Sequence, residues 1–111
     1  MSNGMKKLIK DKWLEGLKSG KYTHYKSSLR SNDDCFCALG VLCDIVDPNG
    51  WSKNDGRTGE VHWSHQMRYA FPTQDLLDDA GISPSQTTMI IQLNEKNNGF
   101  EEVIKYVEKH L

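Results

Sequence analysis

The chain has 111 residues, of which 37% are apolar and 26% charged, and 14 basic side chains against 15 acidic ones leave a formal net charge of −1. These values exclude an intrinsically disordered chain and a uniformly basic protein that coats duplex nucleic acid. The length predicts a single domain over residues 1–111 with one hydrophobic core.

The sequence also bears on the compartment. No apolar run approaches the ~20 residues that a membrane-spanning helix needs, and the first residues lack the apolar stretch of a signal peptide. Cys35, Cys37 and Cys43 are an odd number in one apolar segment, which favours reduced thiols over disulfides. We therefore expect a cytoplasmic protein with no membrane partner.

The first predicted element is an amphipathic helix. Met5, Ile9, Trp13 and Leu17 recur every four residues, with charged residues between them. Gly20 lies just beyond this pattern and is a natural stop. The lysines of this region are expected to lie mostly on the solvated face of the helix.

Residues 35–46 form an apolar segment that predicts a buried helix at the centre of the fold, with a buried strand as the alternative. Asp33 or Asp34 can cap this helix, and Pro48 lies shortly past its end. Gly40 costs a helix about 1 kcal/mol relative to alanine, so another element is expected to pack closely there.

Residues 47–71 change in character. The turn signals Asn49-Gly50 and Asp55-Gly56 separate scattered aromatic residues. We predict a long loop or a short β-hairpin with Asp55-Gly56 near its tip. A connection of this length is unusual in so small a domain, and such connections often carry function.

Two helices are predicted next. A short one opens at Pro72 and Thr73, runs to Asp79 and is closed by Gly81. A second one starts at the cap Ser83-Pro84 and continues to about Lys96. Its inward residues are predicted to be Met89, Ile90 and Leu93.

A final amphipathic helix is predicted over residues 100–111, after the break at Asn98-Gly99. The predicted fold class is therefore mainly α. About five helices pack around a buried central helix (35–46), with residues 47–71 inserted as a loop or hairpin.

The spacing of several residues resembles a group of small phage and prophage proteins. One block carries Trp13, Leu17, Ser19-Gly20, Tyr22 and Leu29, followed by Cys37, Leu39-Gly40-Val41-Leu42-Cys43 and Asp44. A second block carries Leu93-Asn94, Gly99-Phe100, Val103-Ile104 and Val107-Glu108. Together they cover about two-thirds of the chain.

Two departures from the pattern of this group are visible. Phe36 separates Cys35 from Cys37 where the group often has adjacent cysteines, and Glu95 stands where it often has aspartate. The resemblance implies a phage origin, the cytosol of a bacterial host and a shared helical core. It implies no activity.

Few residues are candidates for catalysis or metal binding. Cys37 is a weak candidate nucleophile, because a helix N-terminus favours a thiolate, but a small apolar core residue is the expected role. His62 and His65 have a spacing that suits a metal, yet no Cys-x2-Cys pair accompanies them. We expect no metal and no cofactor, and no phosphate-loop, dinucleotide or serine-hydrolase motif is present.

Aromatic residues interleaved with basic and amide groups are the remaining feature. Rings can stack on a base, and arginine can hold a phosphate through two hydrogen bonds. The candidate residues for ligand or partner binding are Tyr22, Tyr25, Arg30, Trp51, Arg57, His62, Trp63, Arg68 and Tyr69. The alternative is that these aromatic residues only anchor irregular backbone to the core.

Three functions follow as hypotheses. The leading one is a non-catalytic phage protein for counter-defence that sequesters a nucleotide-derived signalling molecule. The second is a protein–protein inhibitor or adaptor of a host protein, with the same aromatic residues as anchors. The third is a small hydrolase that uses Cys37. A homo-oligomer is compatible with the first, because ligands often bind between subunits.

Overall fold

The computed structural model describes residues 5–26, 28–55, 61–68 and 70–111, with backbone alone at 54, 55, 61 and 62. Within these ranges the chain forms five α-helices and four short strands. The helices are α1 (Lys7–Lys18), α2 (Ala38–Val46), α3 (Gln74–Ala80), α4 (Pro84–Lys96) and α5 (Glu101–His110). The strands are β1 (Thr23–His24), β2 (Cys35–Phe36), β3 (Trp51–Asp55) and β4 (Val61–His65). The mainly α class predicted from the sequence is confirmed.

The centre of the fold is α2, whose residues 38–43 are all buried. The helices α1, α3 and α4 pack against it. Trp13 of α1 is fully buried, and its Nε1 donates to the Ala38 carbonyl at 2.9 Å. A β-carbon at Gly40 would lie 1.9 Å from the Leu29 carbonyl oxygen, so the close packing predicted at this glycine is confirmed.

The prediction of a helix over the whole of 35–46 was wrong at its start. Cys35–Phe36 is a strand that pairs in parallel with Thr23–His24, and the helix begins only at Ala38. Neither Asp33 nor Asp34 caps it, because both precede the strand Cys35–Phe36. The cap is Cys37, whose Sγ accepts from the Gly40 N–H at 3.3 Å. The backbone stays extended where the Phe36 ring packs edge to face on both Tyr22 and Trp51.

The insertion contains the β-hairpin that was one of the two predicted forms. β3 and β4 are antiparallel, with Trp51 opposite His65 and Lys53 opposite Trp63. A single 3-10 turn, Pro48–Gly50, joins α2 to β3. The predicted tip at Asp55-Gly56 reaches into residues 56–60, which lie outside the described residues.

The caps of α3 and α4 are as predicted. Thr73 caps α3, and Gly81 closes it in the left-handed region at a φ of 85°. Ser83 and Gln86 form a reciprocal capping box at the start of α4. One prediction for α4 was wrong: Ile90 is fully buried, but Met89 is 42% exposed.

The last helix, α5, packs on α1 and α4 and buries Val103 and Val107. Lys18 of α1 and Glu108 of α5 form an ion pair at 2.6 Å. None of the helices in the described ranges has both the length and the apolar character that a membrane crossing requires.

Candidate functional site

Asp44 on α2 holds two aromatic side chains from other parts of the chain. The Tyr22 hydroxyl donates to Oδ2 at 2.6 Å, and Trp51 Nε1 donates to Oδ1 at 3.0 Å. Burial and this hydrogen bond to a carboxylate raise the pKa of Tyr22 far above its usual value, so the hydroxyl remains a donor. Asp44 therefore ties the segment after α1 and the first hairpin strand to the central helix.

Five rings lie edge to face beside this carboxylate, and we call them the aromatic cluster: Tyr22, Phe36, Trp51, Trp63 and His65. The ring centroids of Tyr22 and Phe36 are 5.0 Å apart, and those of Phe36 and Trp51 are 5.9 Å apart. Trp51 lies 6.3 Å from Trp63 and 4.9 Å from His65. Since such contacts add about 0.5–1.5 kcal/mol per aromatic pair, the cluster holds the hairpin on the helices.

Arg30 covers the outer part of the aromatic cluster. Its guanidinium carbon lies 3.6 Å from the centroid of the Trp63 ring. Its Nε and Nη2 both donate to Asp34 Oδ1, at 3.0 and 2.8 Å. The Arg30 side chain is only 16% exposed. The guanidinium is therefore already stacked and ion-paired, and a phosphate would have to displace Asp34 to bind it in the same way.

Two buried nitrogen atoms of β4 have no hydrogen-bond partner among the described residues, namely Trp63 Nε1 and His65 Nδ1. His65 Nε2 lies 2.8 Å from the Asp47 carbonyl oxygen and donates to it. Buried polar atoms of this kind usually find a water or a ligand.

A separate cleft of about 150 Å³ lies between α4, the start of α2 and residues 70–71. Most of its lining is apolar and comes from Leu39, Ala70, Phe71, Ile90 and Ile91. The polar part of the lining comes from Ser28, Cys37, Asn94 and Glu95. Phe71 at the rim is 53% exposed. An apolar concavity with a few polar groups at one end is the usual form of a binding site.

The outer face of α4 beside this cleft carries no charge before Glu95 and Lys96 at its C-terminal end. Residues 84–94 contain no Asp, Glu, Lys or Arg, whereas half of the residues in α1 and α5 are charged. Ser85, Thr88, Met89 and Gln92 are exposed on this face. Depletion of charged residues marks the centre of protein interfaces, so this surface has the composition of a contact region.

A family model described as a domain of unknown function, DUF8296, matches residues 5–111. The chain belongs to this family. The match spans every described element, so the DUF8296 domain contains both the aromatic cluster and the cleft. No curated protein and no solved structure matches the chain.

Asn94 fixes the polar end of the cleft in the DUF8296 domain. Its side chain is buried, with Oδ1 accepting from the Ala38 N–H and Nδ2 donating to the Tyr25 carbonyl, both at 3.0 Å. Its own carbonyl accepts from His24 Nε2 at 3.0 Å. One amide thus joins α4, the N-terminus of α2 and the segment after β1.

The geometry of Cys37 does not favour catalysis. Cys37 is only 8% exposed, and burial outweighs the backbone hydrogen bonds to its thiol, which raises the pKa of the thiol to about 11. Among the described side chains, no histidine nitrogen lies within hydrogen-bond distance of Sγ. At neutral pH the thiol is protonated and caps α2.

The structure brings together four of the nine residues predicted to bind a ligand or partner: Tyr22, Arg30, Trp51 and Trp63. Tyr25 lies elsewhere in the DUF8296 domain, beside His24, Lys26 and Asn98. Arg68 is exposed and pairs through its backbone with His65. Arg57, Tyr69 and the His62 side chain lie outside the described residues.

The cleft was missed by reasoning from the sequence. The charge-free run over residues 84–94 was a visible signal, as was Phe71, an apolar residue in a polar loop. Helical periodicity predicted that Met89 faces inward. The exposed, uncharged face of α4 that includes Met89 was therefore not recognised. Where the structure describes the DUF8296 domain, no three metal-ligating side chains come together.

Proposed function

We propose that the DUF8296 domain is a non-catalytic protein-binding domain that inserts an apolar side chain of its partner into the cleft. The observation that carries this proposal is the half-exposed Phe71 ring at the rim of an apolar concavity. The neutral face of α4 extends the same surface and offers Met89 as a second apolar contact. In a phage setting the partner is a host protein, and the domain acts as its inhibitor or adaptor.

The aromatic cluster supports this choice by exclusion. Its polar ends are engaged inside the domain, since Tyr22 and Trp51 donate to Asp44 and Arg30 pairs with Asp34. A partner that used these groups would first have to break those contacts. At the cleft, by contrast, the Phe71 ring is already exposed at the rim.

A photo-crosslinking phenylalanine analogue in place of Phe71 tests the proposal in cells that make the domain. The partner captured at position 71 is then purified and titrated. We expect Phe71→Ser to weaken binding by more than about tenfold, as loss of an aromatic anchor does. The matched control is Leu8→Ser, because Leu8 is 66% exposed on α1 and away from the cleft lining. Equal binding by wild type and Phe71→Ser would remove the proposal.

The second candidate function is capture of a nucleotide-derived signalling molecule at the hairpin. Two cations lie over the ring of Trp63, with Lys53 Nζ 5.2 Å and the Arg30 guanidinium 3.6 Å from its centroid. The buried Trp63 Nε1 is also a donor without an acceptor in the described part of the chain. These groups favour an anionic ligand with oxygen acceptors.

Calorimetry against cyclic nucleotides and ADP-ribose derivatives tests this candidate. Binding that weakens in Lys53→Met, which keeps an apolar stem but removes the charge, supports it. Absence of a binding signal with every compound of the panel would eliminate this candidate function.

A further inference from the structure

The area of the cleft and of the uncharged α4 face limits the size of the partner that can bind there. α4 has 13 residues and is therefore ~20 Å long, so its exposed face covers a few hundred Å². A stable interface between two folded domains buries about 800 Å² on each partner. The cleft and the α4 face suit a short extended or helical segment better than a second folded domain or a second copy of this chain.

The polar end of the cleft carries one carboxylate. Among the described residues that line it, Glu95 alone carries a full charge. Asn94 Nδ2 donates to Glu95 Oε2 at 3.1 Å, which keeps the carboxylate beside the lining. Glu95 and Cys37 both line this end of the cleft, and the carboxylate adds to the upward shift that burial causes in the pKa of Cys37. The first N–H groups of α2 bond to Asn94 and Cys37 and offer no free positive end.

We propose that the cleft binds a peptide segment in which a bulky apolar residue lies within a few positions of a lysine or arginine. The apolar side chain lies against Phe71 and Ile91 in the cleft, and the cation lies beside Glu95. This inference rests on the proposed protein-binding function and adds the chemistry of the bound segment.

Selection from a library of random displayed heptapeptides on the purified full-length domain tests the composition of the segment. We expect enrichment of a bulky apolar residue with a neighbouring lysine or arginine, and loss of that enrichment on Phe71→Ser. Apolar peptides without a basic residue would overturn the inference and leave the cleft function in place. Peptides that bind wild type and Phe71→Ser equally well, or a selection without any enrichment, would overturn both this inference and the proposed function.

A double-mutant cycle then tests the charge contact directly. One selected peptide and its lysine-to-norleucine version are titrated against wild type, Glu95→Gln and the control Glu101→Gln on α5. We expect Glu95→Gln to weaken the lysine peptide about three- to fivefold, as for a partly exposed ion pair, and to leave the norleucine peptide unchanged. Glutamine retains an oxygen acceptor for the Asn94 amide, and circular dichroism of both variants checks that the fold is kept. Equal losses for both peptides would overturn the inference.

Discussion

At the scale of single residues, Gly40 marks the tightest contact in the fold. A β-carbon there meets the Leu29 carbonyl oxygen at 1.9 Å, and this neighbour is backbone that cannot rotate away. We expect Gly40→Ala to lower the free energy of unfolding by about 1–3 kcal/mol, although alanine is the better helix former. Urea denaturation measures this change. Gly99→Ala is the control because nothing lies within 4 Å of its added carbon, and an unchanged Gly40→Ala midpoint would show the packing to be looser.

Because Cys37 is buried, we expect the free energy of unfolding to fall at alkaline pH. Its pKa rises from 9.0 to about 11 on folding, so the unfolded chain releases this proton before the folded one does. Its contribution is fully present below about pH 9 and is lost as the pH rises through about 11, an effect on the order of 3 kcal/mol. Cys43, whose pKa burial also raises, acts in the same direction.

Urea unfolding at a series of pH values around this window measures the effect. The free energy of unfolding is expected to fall less steeply with pH in Cys37→Ala than in wild type. Cys35→Ala, at a half-buried position, is the control for removal of a thiol. The same slope in all three proteins would mean that Cys37 is solvated.

At the scale of elements, the hairpin depends on Asp44 for its attachment to α2. Removing this carboxylate in Asp44→Ala leaves the Tyr22 hydroxyl and Trp51 Nε1 without their acceptor, which costs about 2–4 kcal/mol for two charge-assisted bonds. Amide hydrogen exchange should accelerate in β3 and β4 while α4 and α5 keep their protection. Asp44→Asn, which retains one oxygen, should have a smaller effect. Unchanged protection of the hairpin would contradict the anchoring role.

The turn after β4 holds Met67 in a backbone conformation that favours glycine. Gln66 and Met67 have φ values of 50° and 70°, as in a type I′ turn, and Met67 is 82% exposed. Left-handed backbone costs a non-glycine residue about 1–2 kcal/mol, while glycine costs about 0.5–1 kcal/mol in chain entropy.

Met67→Gly should therefore raise the free energy of unfolding by about 0.5–1 kcal/mol, measured by urea denaturation. Met67→Ala keeps the β-carbon and should match wild type. Destabilisation by either variant would show that the Met67 side chain packs on the domain.

At the scale of the whole molecule, the sequence predicted what local chemistry determines. The caps Thr73, Gly81 and Ser83 and the amphipathic patterns of α1 and α5 gave the helices, since each signal lies within a few residues of its effect. The extended backbone at Phe36 and the exposure of Met89 depend on distant partners and were predicted wrongly.

In the candidate site, too, local features could be predicted from the sequence and contacts between distant residues could not. Aromatic and basic residues could be recognised in the sequence, and Arg30 does contact Trp63, which lies 33 positions away. The pattern carried no information on whether such groups face solvent or each other. The cleft was not predicted because Leu39, Phe71 and Ile90 meet only in the folded chain.

The central claim is that partners bind at the cleft and leave the aromatic cluster undisturbed. The most direct test is a titration of the isotope-labelled domain with the selected peptide, followed by nuclear magnetic resonance. We expect shifts in the amide signals of Phe71, Ile91 and Glu95, with the indole N–H signals of Trp51 and Trp63 unmoved. Shifts of the two indole signals with constant amide signals at the cleft would contradict it.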